Sequence, residues 1–168
     1  MAIFDRFRKK VKAEEAIRKE NVIGSAAEGE IVHMEDIPDS VFSQGILGTC
    51  CGIKPTEGKV FAPIDGEIVQ VSDTKHAVGI AGASDIEILI HVGIDTVDMN
   101  GEGFDVKVRE KDKVKKGDLI LTMDLDKIKA AGHPDMVIIA VANAGQDGSA
   151  QLTAAGRVKP GEDLFRIS

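Results

Sequence analysis

Of the four histidines in this 168-residue chain, His33, His76, His91 and His133, two stand where imidazole chemistry is possible. His91 ends the run Ile86-Glu87-Ile88-Leu89-Ile90-His91, in which strand alternation puts Ile86, Ile88 and Ile90 on one face and Glu87, Leu89 and His91 on the other. In the preceding apolar run, Thr74, His76, Val78 and Ile80 are expected to share one face. Gly82-Ala83-Ser84-Asp85 lies between the runs as a turn. A hairpin folded symmetrically about Ala83-Ser84 sets residue 78 opposite 89 and residue 76 opposite 91. The two imidazoles then face each other at roughly 5 Å between Cβ atoms. A slip of one residue would send them to opposite faces, so this expectation rests on the register.

Two facing imidazoles admit two chemistries. They can ligate a metal, usually with a third carboxylate or histidine. Alternatively one ring is a nucleophile and the other a hydrogen-bonding partner for the charge it acquires. Neutral imidazole is a competent nucleophile near pH 7, because its ordinary pKa is about 6.5. It needs one nitrogen bare, so the other must hold its proton in a fixed hydrogen bond. His33 and His133 are expected at the surface. Cys50 and Cys51 are adjacent, a poor geometry for a mutual disulfide, and without a CxxC pattern they form no zinc cluster.

The elements that must position the histidines read as strands. From residue 21 onward, apolar runs of four to eight residues recur, rich in Val and Ile and separated by Gly, Pro and Asp, the pattern of an all-β antiparallel sandwich or barrel. The run Asp124-Leu125-Asp126-Lys127-Ile128-Lys129-Ala130 predicts a short helix ended by Gly132 and Pro134. A second helical turn is expected over Pro38–Gln44. Two echoes stand out. Gly29-Glu30-Ile31-Val32 recurs as Gly66-Glu67-Ile68-Val69, and Lys113-Val114-Lys115-Lys116-Gly117 as Arg157-Val158-Lys159-Pro160-Gly161. They predict two related halves whose strands intermix.

Composition narrows the class. With no Trp, no Tyr and six Phe, the core must be built from Val, Ile and Leu, which favours β-structure. The net charge is −7, yet residues 1–20 hold seven Lys/Arg against four Asp/Glu. The acidic body argues against nucleic acid and for basic protein partners or plain solubility. In the first segment Ile3, Phe4, Phe7 and Val11 fall on one helical stripe among Arg and Lys, which suits either contact of residues 1–12 with an anionic membrane surface or a frayed, solvated start. The expected division is therefore a basic amphipathic tail, 1–20, and one domain, 21–168. No apolar run approaches the roughly 18–20 residues of a membrane span, and the start lacks a signal-peptide order. A cytoplasmic location is expected.

The ordered set of motifs resembles the glucose-type enzyme IIA family of the bacterial sugar phosphotransferase system. Its phosphorylation-site signature is matched by His91-Val92-Gly93-Ile94-Asp95-Thr96-Val97 with Gly101-Glu102-Gly103-Phe104. Further matches are Asp36-Ile37-Pro38-Asp39-Ser40-Val41-Phe42, Ala62-Pro63-Ile64-Asp65-Gly66, Thr74-Lys75-His76-Ala77 and Lys115-Lys116-Gly117-Asp118 with Asp124-Leu125. They run in order from about Gly29 to the C-terminus. The resemblance implies a duplicated hybrid motif fold and a phosphocarrier that uses no cofactor and requires no metal. His91 would take a phosphoryl group on Nε2 from the phosphorylated histidine-containing phosphocarrier protein. It would then pass the group to a cysteine on the enzyme IIB domain of a glucose-type sugar permease. His76 would bond the phosphoryl oxygens, and Thr74 would orient His76 through its hydroxyl. Val41, Phe42, Ile46, Leu47, Leu89 and Val97 would form an apolar docking patch, with Asp39 and Asp95 pairing to basic residues of the carrier. A monomer is expected.

Two differences from the family pattern are visible. Gly48-Thr49-Cys50-Cys51-Gly52 stands where Gly-Asp-Gly is frequent, and Ser72 and Leu89 stand where aromatic residues are frequent. The fold also resembles that of lysostaphin-like zinc metallopeptidases, the alternative reading, but the chain lacks the His-x-His pair of their zinc site. In a regulatory complex His76 and His91 could share a zinc ion. A lipoyl-type carrier is disfavoured because Met123 is followed by Asp124 and not by Lys.

Overall fold

The computed structural model describes residues 5–10, 22–144 and 149–168. Among them the chain is predominantly β, with every paired strand antiparallel. Strands number β1 to β14 in chain order. The largest sheet runs β13 (Arg157–Val158), β2 (Gly29–Val32), β3 (Thr49–Pro55), β11 (Val137–Val141), β7 (Glu87–Val92), β6 (Ala77–Ala81), β5 (Gly66–Val71), β9 (Lys113–Val114). Two three-stranded sheets accompany it. One is β1 (Val22–Gly24), β14 (Asp163–Ile167), β12 (Ala150–Leu152), and the other β4 (Lys59–Phe61), β10 (Leu119–Met123), β8 (Phe104–Val106).

These orders expose the duplication. Strands β4 to β10 form one half, inserted in the chain between β3 and β11 of the other. Matching β1 with β4, β2 with β5, β3 with β6 and β11–β14 with β7–β10 reproduces both small sheets and both flanks of the large one. The repeated Gly-Glu-Ile-Val segments are β2 and β5, and the repeated Val-Lys turns carry their edge partners β13 and β9. The halves thus interleave along the chain, while each keeps its own strands together in the sheets and they meet at β11 and β7.

Alternation sorts side chains into two cores. Ile53, Ile68, Val78, Ile80, Ile88, Ile90, Val92, Val137 and Ile139 of the large sheet pack with Ile23, Val60, Ile120, Leu121 and Phe165 of the small sheets. Burial of one such Ile is worth about 2–3 kcal/mol, so the phase of each strand is strongly held. The opposite face of β3, β11 and β7 carries a smaller cluster, Cys50, Ile138 and Ala140, covered by Ile37, Phe42, Ile94 and Met136. His91 emerges beside it. That cover includes helix α2 (Ser40–Ser43; α1 spans 5–10), whose first turn is capped by Asp39 accepting the Val41 N–H at 2.9 Å. Helix α3, Leu125–Ala130, is capped by Asp124. Both short helices lie where the sequence predicts them. Of the expected tail, residues 5–10 are helical and exposed, and the rest lies outside the described residues.

Candidate functional site

The β6–β7 hairpin corrects the expected register. Ala77, not His76, stands opposite His91, and the ladder continues as Val78 with Ile90, Gly79 with Leu89 and Ile80 with Ile88. The cause is turn length. Gly82 donates to the Ile86 carbonyl at 2.7 Å, and Ser84 and Asp85 both take left-handed conformations, so the loop has three residues and not two. Val78 and Ile80 therefore point into the main core and do not share a face with His76.

The imidazoles meet all the same, with ring centroids 4.9 Å apart and planes at 77°. Strand β6 begins only at Ala77, so His76 is released from the alternation of the pleat. Lys75 before it is left-handed (φ 63°), and the His76 carbonyl accepts the Val92 N–H at 2.7 Å. The Thr74 Oγ1 then lies 2.7 Å from His76 Nδ1, with the Ser72 Oγ at 3.5 Å on the same nitrogen. Ser72 itself accepts the Ala77 N–H.

His91 is held on its other side. Its Nδ1 lies 2.8 Å from the Gly93 carbonyl oxygen, which can only accept, so Nδ1 carries the proton and a neutral ring leaves Nε2 bare. A bare Nε2 requires such a partner, and its sole clue in the sequence is a glycine two residues on, in a strand that must turn. Gly93 has φ 76°, a conformation that glycine adopts without the penalty other residues meet. The Phe42 ring packs edge-on against His91 at 5.0 Å.

Burial, reinforced by the neighbouring His76, pushes the His91 imidazole down to about 4, while the Gly93 carbonyl, Asp39 and Asp95 pull the other way. Burial also lowers His76, against a smaller opposing pull from the Thr74 backbone. Both rings are therefore neutral near pH 7, and one offers an unprotonated nitrogen.

The expected docking residues divide. Val41, Ile46, Leu47 and Val97 are exposed large apolar side chains, and Leu89 is half-buried against the cluster that contains Phe42. Phe42 is 4% exposed, so it supports His91 from below and offers little surface to a partner. Cys50 and Cys51 are buried free thiols on opposite faces of β3. Cys50 donates to the Phe42 carbonyl at 3.4 Å, and burial pushes its thiol up to about 11. The Thr49–Cys51 stretch is thus ordinary paired strand. His33 is exposed and His133 half-buried, each outside the site. Among the described residues, no group of three or more His, Cys, Asp or Glu is placed to hold a metal ion. No described helix is long and apolar enough to cross a membrane.

An antiparallel sandwich thus presents two adjacent neutral imidazoles, one with a bare Nε2, an arrangement chemically capable of nucleophilic attack. Residues 6–146 match the family described as phosphoenolpyruvate-dependent sugar phosphotransferase system, EIIA 1. The chain is 42% identical over 154 residues to the PTS system glucose-specific EIIA component of Halalkalibacterium halodurans, covering 92% of this chain and 89% of that protein. It is 38% identical over 147 residues to the beta-glucoside-specific EIIBCA component of Bacillus subtilis, 88% of this chain but 24% of that longer protein. Glucose permease IIA from Mycoplasma capricolum superposes with a TM-score of 0.77 at 32% identity, covering 86% of this chain and 93% of that one. The chain belongs to the EIIA 1 family of the sugar phosphotransferase system.

Proposed function

We propose that the chain is the phosphocarrier of a glucose-type system, with His91 Nε2 as the phosphoryl acceptor. The observation that carries this reading is the Nδ1–Gly93 hydrogen bond, which assigns the proton and leaves Nε2 free beside His76. The Nε2 lone pair attacks phosphorus, the P–N bond to the histidine of the phosphorylated histidine-containing phosphocarrier protein breaks, and its electron pair returns to that ring. The proton on His91 Nδ1 stays in place, so the phosphorylated ring is cationic and is stabilised by the Gly93 carbonyl. Thr74 donates its hydroxyl proton to His76 Nδ1, which keeps the His76 proton on Nε2, aimed at the phosphoryl oxygens. Positioning and charge stabilisation of this kind supply most of the catalysis in such a transfer.

Onward transfer reverses the bonding. The thiolate of a cysteine on an enzyme IIB domain attacks phosphorus, and the electron pair of the breaking P–N bond restores neutral His91. Its burial, which disfavours a positive ring, makes the phosphorylated state a ready donor. A IIB-type partner is supported by relatives named EIIBCA and EIICBA. Asp39 and Asp95 contribute to steering a basic partner onto the patch of Val41, Ile46, Leu47, Leu89 and Val97. In this reading the domain of 21–168 works as a cytoplasmic monomer, and the basic tail of 1–20 touches the membrane through residues 1–12.

The test is incubation with phosphoenolpyruvate, its kinase and the phosphocarrier, followed by assay of acid-labile phosphate. Wild type takes up label and His91→Gln takes up none. Labelling of His91→Gln would sink the assignment.

A further inference from the structure

Thr96 lies five residues beyond His91, and it is one of two fully buried polar side chains among the described residues, the other being Ser25. Ser25 closes its own local turn with Ala27. Thr96 does something different. It is the first residue of the 3₁₀ turn Thr96–Met99, yet its hydroxyl reaches backwards out of that turn and donates to the carbonyl of Val92, the last residue of β7. Its methyl closes over Gly93, the first of the three residues between them. A Cβ placed on Gly93 would sit 2.2 Å from Thr96 Cγ2, so the methyl fills the space above the Gly93 Cα.

Residues 92–96 therefore form a closed loop around Gly93. The peptide bearing the Gly93 carbonyl is held on its nitrogen side by Ile94 donating to Pro134 at 3.0 Å, and Gly93 N–H donates to Met136 at 2.7 Å. Those bonds anchor the loop to the run leading into β11. Thr96 supplies a further anchor, through the Val92 carbonyl and the Gly93 Cα. Val92 also donates its N–H to the His76 carbonyl. One buried hydroxyl is thereby joined to the backbone that carries both histidines.

We propose that Thr96 is a positioning residue for the phosphoryl acceptor. By tethering the Val92–Gly93 backbone it aims the Gly93 carbonyl at His91 Nδ1 and keeps the proton on that nitrogen. The inference rests on the acceptor role assigned to His91, and it names the residue that keeps Nε2 bare. Without the tether the carbonyl swings, the Nε2-protonated tautomer becomes populated, and that fraction of molecules has no lone pair to offer. Docking of the carrier is untouched, because Thr96 is wholly buried.

The test compares Thr96→Val, which keeps the shape and loses the hydroxyl, with Thr96→Ser, which keeps the hydroxyl and loses the methyl. Ring ¹⁵N shifts of His91 report the tautomer, and steady-state phosphorylation by the carrier separates kcat from KM. Thr96→Val is expected to give a mixed tautomer and a kcat about ten- to a hundredfold lower, with KM for the carrier within about twofold. Thr96→Ser is expected to keep the native tautomer and a kcat within about threefold. A native tautomer and native kcat in Thr96→Val would overturn the proposal. So would a Thr96→Ser defect in tautomer and kcat as large as that expected for Thr96→Val, a comparison that decides the matter even if Thr96→Val fails to fold. Should wild type accept no phosphate, the acceptor reading fails on its own, while the ¹⁵N measurement still decides whether Thr96 sets the ring.

Discussion

The depressed basicity of His91 has a consequence for stability that can be measured without any partner. The perturbation is acid, applied to wild type and to His91→Gln, whose side chain is of similar size and does not titrate. In the folded protein the imidazole holds its proton only below about 4, against an ordinary 6.5 in the unfolded chain. Between those values the unfolded state binds a proton that the native state refuses, so protonation favours unfolding. The stability associated with neutral His91 is fully present above about pH 6.5, declines as pH falls, and levels off below about 4. At about 1.4 kcal/mol per pKa unit the whole window is worth roughly 3 kcal/mol. The ring is only half-buried by accessible surface, and water screening brings the expectation to about 2 kcal/mol.

Urea unfolding at steps from pH 7.5 to 4.5 reads this out, followed by circular dichroism because the chain has neither Trp nor Tyr. Wild type should lose about 2 kcal/mol more than His91→Gln over that range. His76 faces the ring, and Asp39 and Asp95 act on it from the α2 cap and the β7 exit, so the comparison is repeated in a His76→Gln background to remove the coupling between the rings. Parallel stability curves for the two proteins, within about 0.5 kcal/mol, would refute the placement of a buried neutral imidazole at position 91.

Two other outcomes are expected. His76→Gln should still accept phosphate at His91 but pass it to a IIB domain about tenfold or more slowly, since a glutamine amide is not fixed by Thr74 with its N–H facing the phosphoryl oxygens; undiminished onward transfer removes His76 from the mechanism. Cys50 and Cys51, buried with thiols pushed up by desolvation, should resist a thiol-specific reagent in the native protein and both react in denaturant; rapid labelling of the native protein would contradict their burial.

Much of this architecture is legible in local pattern. The phase of β7, with Ile88 and Ile90 inward and Leu89 and His91 outward, follows from alternation alone, because a strand has only two faces. The two capped helical turns and the repeated Gly-Glu-Ile-Val strands were legible for similar reasons: caps and turns are short-range chemistry. Phe42 was harder. Its residue type fits an exposed docking patch as readily as a support for His91, and its packing against Cys50 and the imidazole depends on how the α2 segment folds back over β3.

Residue identity by itself determined that two imidazoles with Thr74 nearby could act together, and that β-strands would carry them. Only the tertiary structure decided how they meet. A two-residue turn and a three-residue turn differ by one step of register, and the left-handed conformations of Ser84 and Asp85 that select the longer one are not written in the alternation of the flanking strands. That step would have separated the rings, had His76 remained in the pleat. It does not, because β6 begins only at Ala77 and the left-handed Lys75 turns His76 back over His91. The Gly93 carbonyl and the Thr96 hydroxyl belong to the same category: backbone groups and buried hydroxyls have no sequence signature for where they point, and only the closed loop after β7 turns the carbonyl to His91 Nδ1 and the hydroxyl to the Val92 carbonyl.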